Sequence, residues 1–181
     1  MAPHDGSRAP FYPEGVDGGT TPGWQPHDAR GTLPTRPGAA PYRQRDINGV
    51  TGIRLHYTAG GTWSTVRDIA AYQTGPTAQD NFPAIAYHVL VDGDGVAHWC
   101  HDLDVRVWGS GQSGSNERDV HICYTGSVEP TLAQLVGLRR AVAWAQVHIG
   151  RALSVRGHSD GFSTQCPGPR WPEWRDAVAK P

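Results

Sequence analysis

The sequence predicts a single α/β domain in which a central mixed β-sheet is flanked by helices. Apolar or alternating segments predict strands at residues 52–58, 84–92 and 119–124. The spacing of apolar residues across 135–149 predicts an amphipathic helix. A chain of 181 residues favours one domain and is long enough to bury a core without disulfide bonds.

Local signals at the ends of these segments predict how they are connected. The sequence Asp-Gly-Asp-Gly at residues 92–95 is typical of a hairpin turn, and residues 96–100 follow as its second strand. Thr131 and Gln134 have the spacing of a capping box before the long helix, and Gly150 ends that helix. A strand pair joined by a hairpin indicates a mixed sheet rather than a purely parallel one.

The remaining predicted elements are shorter. Thr65 and Asp68 have capping-box spacing and predict a helix that continues to about residue 74. Residues 153–158 predict a short strand, and Pro172 begins a final helix. Helices therefore separate several of the strands, as expected for helices packed on a sheet.

The N-terminal segment, residues 1–45, differs in composition from the predicted domain, residues 46–181. The first 50 residues hold more than half of the chain's 15 prolines and about a third of its 23 glycines, without apolar periodicity. This composition predicts an extended arm or linker. Aromatic residues such as Tyr12 and Trp24 are uncommon in disordered segments, so an arm anchored on the domain is an equal alternative.

Composition also excludes several functional classes. A net charge of −1 argues against a nucleic-acid-binding protein. No apolar segment approaches the ~18 residues of a membrane span, so membrane insertion is not expected. The N-terminal sequence lacks the pattern of a signal peptide, and we expect synthesis in the cytoplasm, with any target outside the cell reached after release. A monomer is the favoured oligomeric state.

Two histidines and one cysteine form a candidate metal site. His56 lies near the end of the first predicted strand, His158 ends a short strand, and Cys166 follows in a loop rich in proline and glycine. Two imidazoles and a thiolate suit zinc and leave a fourth position for water. From residue types alone, hydrogen-bonded histidines and a buried structural cysteine remain an open alternative.

Four segments, in order along the chain, match the motifs of one known family. Residues 55–60 (LHYTAG) are similar to an H-T-A-G segment, and residues 86–96 to a Y-H-F-x-I-D-x-D-G-x strand and hairpin. Residues 120–126 are similar to a core strand that ends in glycine, and residues 157–168 to G-H-x-D followed by C-P-G. With these motifs the chain resembles the zinc-dependent type 2 N-acetylmuramoyl-L-alanine amidases, a superfamily that includes phage lysozyme-type amidases and peptidoglycan recognition proteins. The resemblance covers about residues 50–175 and implies the family's amidase fold.

The resemblance implies roles for five residues. His56, His158 and Cys166 would bind zinc, and Tyr87 would act beside the metal-bound water. Thr164 stands two residues before the cysteine, where the family has lysine or threonine. A threonine there donates a neutral hydrogen bond to the developing oxyanion, weaker than the charge-assisted bond of a lysine.

Other candidates rest on residue type and position. Trp63 in a loop and Asn116 in the Gly/Ser-rich segment 109–116 are candidate substrate-binding residues. His88 and His121 lie in predicted strands and are interpreted as hydrogen-bonded structural histidines, His121 at a position where the family often has a small residue. The group that protonates the leaving amine is left open.

The implied function is hydrolysis of bacterial peptidoglycan at the amide bond between N-acetylmuramic acid and L-alanine, by a phage-type endolysin with Zn²⁺ as cofactor. Zinc would polarise the carbonyl and lower the pKa of water to about 7. One alternative is a non-catalytic peptidoglycan-binding module on the same scaffold. Another is a zinc hydrolase that acts on a different N-acyl amino acid or peptide.

Overall fold

The computed structural model describes residues 23–78 and 81–179, which are organised around a six-stranded sheet. The strands are β1 (His27–Asp28), β2 (Gly52–Tyr57), β3 (Val89–Val91), β4 (Ala97–Trp99), β5 (Asp119–Tyr124) and β6 (Ser154–Gly157). The helices are α1 (Val66–Thr74), α2 (Ser113–Arg118), α3 (Leu132–Ile149) and α4 (Trp171–Ala179), with a 3₁₀ turn at Ile47–Gly49.

The strand order in the sheet is β1-β4-β3-β5-β2-β6. Strands β3 and β4 pair antiparallel through the predicted hairpin, and the other neighbouring strands pair in parallel. The sheet is therefore mixed, and the predicted α/β fold is confirmed. The parallel strands β2 and β6 end at the same edge of the sheet, where the candidate metal ligands follow.

Alternation along the central strands separates two faces of the sheet. On one face, apolar side chains of β2 and β5 such as Leu55 and Ile122 pack into a core with α3 and α4. On the other face, a smaller cluster contains Leu90, Cys123 and Ile69 of α1. This second face also carries the buried polar side chains that surround the candidate metal site.

The local helix signals act as the sequence predicts. The Thr131 hydroxyl accepts the Gln134 N–H, and the Gln134 side chain accepts the Thr131 N–H. Gly150 ends α3 in the left-handed conformation at φ 80°. Thr65 and Asp68 form the corresponding box at the start of α1.

The predicted strand at residues 84–92 is wrong in its first half, because β3 begins only at Val89. His88 still pairs with β5, since its N–H donates to the His121 carbonyl at 2.9 Å, but the preceding residues lie outside the strand. The Ala86 N–H donates to Gln73 Oε1 of α1 at 2.9 Å, rather than to a neighbouring strand. Interaction with α1 thus replaces strand pairing at the position that carries Tyr87.

The predicted loop at residues 109–116 ends in a helix, α2, which the composition did not indicate. Serine and glycine are poor helix formers, and Gln112 at the N-cap makes no side-chain capping bond. Buried hydrogen bonds stabilise this helix. Arg54 of β2 donates through Nε to the Ser115 hydroxyl at 2.8 Å, the same hydroxyl donates to Asp119 at 2.8 Å, and the Asn116 side chain bonds Ser110.

Residues 23–45 lie against the rest of the protein. His27–Asp28 adds a two-residue parallel strand beside β4, and Trp24 packs on the main core. Arg45 is buried and donates to the backbone carbonyls of Leu103 and Asp119. Tyr12, the other predicted anchor, is outside the described residues. Among the described helices, none is both long enough and apolar enough to cross a bilayer.

Candidate metal centre and adjoining groove

The structure brings the three predicted metal ligands together. His56 is the fifth residue of β2, and His158 follows directly after β6, which pairs in parallel with β2. The His158 N–H donates to the Leu55 carbonyl at 3.0 Å, so the two strand ends are held in register. Cys166 lies in the loop between β6 and α4, and its Sγ accepts the Tyr57 N–H at 3.3 Å.

The donor atoms of His56, His158 and Cys166 all lie within 4.8 Å of one another. His56 Nδ1 and Cys166 Sγ are 3.7 Å apart. In a tetrahedral zinc site, bond lengths of about 2.0–2.1 Å to nitrogen and 2.3 Å to sulfur put these two atoms about 3.6 Å apart. Two imidazoles and a thiolate at this separation fit zinc in number, chemistry and spacing.

Burial affects the protonation of these ligands in the metal-free protein. Burial, followed by the nearby histidines, holds the pKa of His56 well below its usual value, and burial also lowers the pKa of His158. Both imidazoles are therefore neutral and have a lone pair for a metal. Burial raises the pKa of the Cys166 thiol to about 11, partly offset by the Tyr57 N–H. Metal binding at Cys166 must therefore displace a proton.

A buried ion pair supports the loop that carries His158. Arg54, on the same face of β2 as His56, donates through Nε to Asp119 at 2.8 Å. Its Nη1 donates to the carbonyls of Gly157 and Asp160, at 3.0 and 3.2 Å. Both side chains of this pair are buried, and a buried ion pair is stable only when further hydrogen bonds satisfy its remaining polar groups. Sequence reasoning missed Arg54; an arginine within an apolar strand is the signal that could have indicated it.

Asp160 stabilises the turn that follows β6. Its Oδ2 accepts from the Gly157 N–H at 2.8 Å and from Trp171 Nε1 at 2.9 Å. The turn is thereby connected to Trp171 at the start of α4. His158 lies between Gly157 and Asp160, which are joined by the first of these bonds.

A groove of about 650 Å³ adjoins the metal ligands. Its walls come from α1, from the segment before β3 and from the loop that leads into α2. Its aromatic lining residues are Tyr72, Phe82, Tyr87 and Trp108. Tyr87 belongs to both sites, because its ring also lies 5.6 Å from the His56 ring, centroid to centroid. An extended substrate in the groove would therefore reach the metal ligands past Tyr87.

Tyr87 and Thr164, the two predicted catalytic residues, differ in their surroundings. The Tyr87 hydroxyl hydrogen bonds to Gln73 and Cys123, and burial raises its pKa well above the usual value. It is therefore a neutral hydrogen-bond donor at physiological pH. Thr164 is exposed, and its Oγ1 accepts the Cys166 N–H at 3.2 Å. The Thr164 hydroxyl keeps its proton for donation to another group.

The two predicted substrate-binding residues lie in different places. Trp63 is 77% exposed and lies in the loop after β2, beside Gly93 of the hairpin. Asn116 borders the groove but is buried. Its Oδ1 accepts from the Ser110 N–H and its Nδ2 donates to the Ser110 carbonyl, each at 2.9 Å. These bonds shape the groove wall.

Comparison with known proteins extends these observations. The family model for N-acetylmuramoyl-L-alanine amidase, type 2, matches residues 44–169. A search of curated protein sequences finds no significant match.

Solved structures share the fold at low identity. The amidase LysC from Clostridium intestinale has a TM-score of 0.68 and 21% identity, over 86% of this chain and 97% of that one. Drosophila peptidoglycan recognition protein SD has a TM-score of 0.64 and 18% identity, over 80% and 90%. Peptidoglycan recognition protein-LE, in complex with tracheal cytotoxin, has a TM-score of 0.65 and 20% identity, over 80% of this chain and 88% of that one.

The family model covers more than half of the chain, including β2 through the cysteine loop. The four sequence segments that carry the resemblance lie within that range. So do strands β2 to β6 and the clustered histidines and cysteine. This chain belongs to the type 2 N-acetylmuramoyl-L-alanine amidase family.

Proposed function

We propose that this protein is a zinc-dependent peptidoglycan amidase of the endolysin type, which hydrolyses the bond between N-acetylmuramic acid and the L-alanine of the stem peptide. The observation that carries the proposal is the cluster of His56, His158 and Cys166, next to Tyr87, which also lines the aromatic groove. The fold similarity to the endolysin amidase LysCS from Clostridium intestinale, with a TM-score of 0.63 and 20% identity, supports the endolysin type.

His56, His158 and Cys166 would hold the zinc ion. When bound, zinc supplies a Lewis acid that polarises the scissile carbonyl and activates water at neutral pH. The groove would bind and orient the substrate, so that the carbonyl meets the ligand cluster beside Tyr87. Hydrolysis adds water across the C–N bond and releases lactyl carboxylate and the amino group of L-alanine.

Tyr87 and Thr164 would act as hydrogen-bond donors to the oxygen on which negative charge develops. The Tyr87 ring lies beside the His56 ring, its hydroxyl hydrogen bonds to Gln73 and Cys123, and its raised pKa keeps the proton on the oxygen. Thr164 is connected to the metal site through the Cys166 N–H. Donors already oriented toward such an oxygen lower the barrier more than water does.

The binding-only alternative is less well supported. A module that only recognises peptidoglycan does not need a thiolate donor within 3.7 Å of a histidine nitrogen. The complete donor set and the neutral tyrosine at its edge favour hydrolysis. The two functions differ in their product, so one assay separates them.

The test uses purified insoluble peptidoglycan, with free amino groups and reducing sugar ends measured in the same digest. We expect new N-terminal alanine, no new reducing ends, loss of release with a chelator and its recovery on addition of zinc. Protein that pellets with the wall but releases neither product would support the binding module instead. New reducing ends would indicate cleavage of the glycan and contradict the proposal.

Cys166→Ala tests the ligand set directly. It removes the only thiolate of the three-residue cluster, and we expect loss of both zinc binding and alanine release. Cys100→Ala is the matched control, because Cys100 is equally buried but donates its thiol to the His98 carbonyl in the smaller apolar cluster. Wild-type hydrolysis by Cys166→Ala would show that the assigned ligands are wrong.

A further inference from the structure

A row of imidazole rings extends from the metal ligands into the interior. The His158 and His56 ring centroids are 4.7 Å apart, those of His56 and His121 5.1 Å, and those of His121 and His88 6.0 Å. His56, His88 and His121 are almost completely buried. The proposed hydrolysis uses the first two rings of this row, and the other two have no assigned role.

We propose that His121 is a positioning residue for the metal site, which fixes the tautomer and orientation of His56. The inference rests on the proposed zinc site. Its central observation is the distance of 2.9 Å between His56 Nε2 and His121 Nδ1. The pairing of β2 with β5 brings these two residues together, although they are 65 positions apart in the chain.

The direction of this hydrogen bond follows from the orientation of His56. Its Nδ1 faces the Cys166 sulfur at 3.7 Å and is the atom available to a metal. A neutral imidazole that binds a metal through Nδ1 must carry its proton on Nε2. The Nε2–H then donates to His121 Nδ1, so His121 must carry its own proton on Nε2. Metal binding thus selects one tautomer in both rings.

His121 is held firmly enough to impose this arrangement. Its backbone N–H donates to His88 Nδ1 at 2.9 Å, and the two rings are parallel within 7°. On the other side, the backbone of Gly109 approaches so closely that an added Cβ would lie 2.5 Å from His121 Cγ. The ring is therefore confined between His88 and Gly109.

A purely structural explanation fits less well. In the described part of the chain, His121 Nε2 is buried and has no hydrogen-bond partner. In the tautomer that metal binding requires, this atom is an N–H donor without an acceptor, which costs stability. An apolar residue at this strand position would avoid that cost. In return, His121 Nδ1 provides an acceptor for the Nε2–H of the metal ligand His56. Hydrogen-bond partners of this kind strengthen metal affinity.

The test compares His121→Leu with His121→Asn. Leucine has similar bulk without an acceptor, whereas asparagine puts Oδ1 on the same Cγ that carries Nδ1. Zinc affinity is measured by competition with a chelator, and the tautomer of His56 by ¹⁵N NMR of the imidazole. We expect His121→Leu to weaken zinc binding 10- to 100-fold and His121→Asn to recover most of the loss. The zinc-loaded wild type should show a proton on His56 Nε2.

A second variant keeps the test informative if His121→Leu fails to fold. Gly109→Ala leaves every hydrogen-bonding group in place but displaces the His121 ring, and it should also weaken zinc binding. Unchanged affinity in the folded variants, or in Gly109→Ala by itself where His121→Leu does not fold, would overturn the inference alone if the wild type binds zinc and releases alanine. A wild-type protein that binds no zinc would overturn the proposed function as well.

Discussion

Tyr87 stands at the boundary between the groove and the metal ligands, and its hydroxyl is the group through which the two sites would cooperate. Replacement by phenylalanine keeps the ring beside His56 and removes the donor. We expect Tyr87→Phe to lower kcat by about 10²–10³-fold, the usual cost of losing one oxyanion donor, with KM changed little. Steady-state kinetics and metal analysis of the purified variant provide the measurement.

Zinc content decides how the Tyr87→Phe result is interpreted. The variant should retain zinc at the wild-type ratio, since Tyr87 is not among the clustered ligands. Wild-type turnover would show that Tyr87 serves only the packing of the smaller cluster, which it borders. A fall in zinc content would attribute the loss of activity to a damaged site instead.

Among elements, α3 lies unusually close to the β3–β4 hairpin. A Cβ on Gly137 would lie 2.3 Å from the Gly95 carbonyl oxygen, and a Cβ on Gly95 would lie 2.3 Å from the Ala133 carbonyl oxygen. Both obstacles are backbone atoms, which cannot move aside as a flexible side chain can. The pair of glycines therefore allows the helix to pack directly on the turn.

Gly137→Ala should destabilise the protein although alanine is the better helix former. The propensity gain is about 1 kcal/mol, whereas overpacking against rigid neighbours costs about 1–3 kcal/mol or more. Gly114→Ala in α2 is the matched control, because Gly114 is exposed and its nearest neighbouring atom is 3.8 Å away. Urea unfolding should show a lower midpoint for Gly137→Ala and an unchanged or higher one for Gly114→Ala. Equal midpoints would contradict the close packing.

At the scale of the whole molecule, Arg45 connects the N-terminal segment to the interior. Besides Leu103 and Asp119, its guanidinium donates to the carbonyl of Asn116 at 2.9 Å and lies 3.2 Å from His88 Nε2. Removal of the arginine would leave several buried acceptors without a donor, at a cost of several kcal/mol.

A chain that begins at Asp46 should therefore be less stable than one that begins at Gly23. We expect the melting temperature to fall by about 10 °C, since each kcal/mol lowers it by about 2–4 °C in a protein of this size. Arg45→Met in the full chain should reproduce much of the fall. Equal melting temperatures for the two truncated chains, measured by calorimetry, would show that the segment is dispensable for folding.

Buried neutral histidines also connect stability to pH. Burial and then the charge of Arg45 hold the pKa of His88 well below its usual value, and burial lowers the pKa of His101. His88 cannot accept a second proton without losing a bond, because Nδ1 accepts the His121 N–H and Nε2 faces the Val105 carbonyl. An unfolded histidine has a pKa of about 6.5, above the pKa values of His88 and His101 in the folded protein. Between these two limits, the unfolded chain binds more protons than the folded protein.

The free energy of unfolding should therefore decrease as pH falls below about 6.5, by up to about 1.4 kcal/mol per pH unit for each such histidine. Urea titrations of the metal-free protein at pH 7.5, 6.5 and 5.5 provide the measurement. This range ends above the usual carboxylate pKa values, so histidines dominate the change. A free energy of unfolding that is constant from pH 7.5 to 5.5 would contradict neutral burial of these side chains.

Local pattern was sufficient to predict much of the fold. The strand at residues 52–58 agrees with β2, and the strand at 119–124 agrees with β5. The capping boxes and the terminal glycine of α3 were also identified. Each of these features depends on residues within a few positions of one another. Residue types indicated His56, His158 and Cys166 as candidate metal ligands, but their spacing left structural roles open, and the resemblance was needed to favour zinc.

Long-range contacts decided the rest. Sequence alone interpreted His121 as structural, and the register of β2 with β5 brings it to His56. Arg45 reaches His88 across 43 positions, and Arg54 stabilises α2, a helix of mostly polar residues with two serines and a glycine, by donating to the Ser115 hydroxyl 61 positions away. Strand β3 begins only at Val89, and before it Gln73 of α1 takes the Ala86 N–H. Alternation and capping are set by neighbours in the chain, whereas a buried polar group takes whichever partner the fold brings within hydrogen-bonding distance.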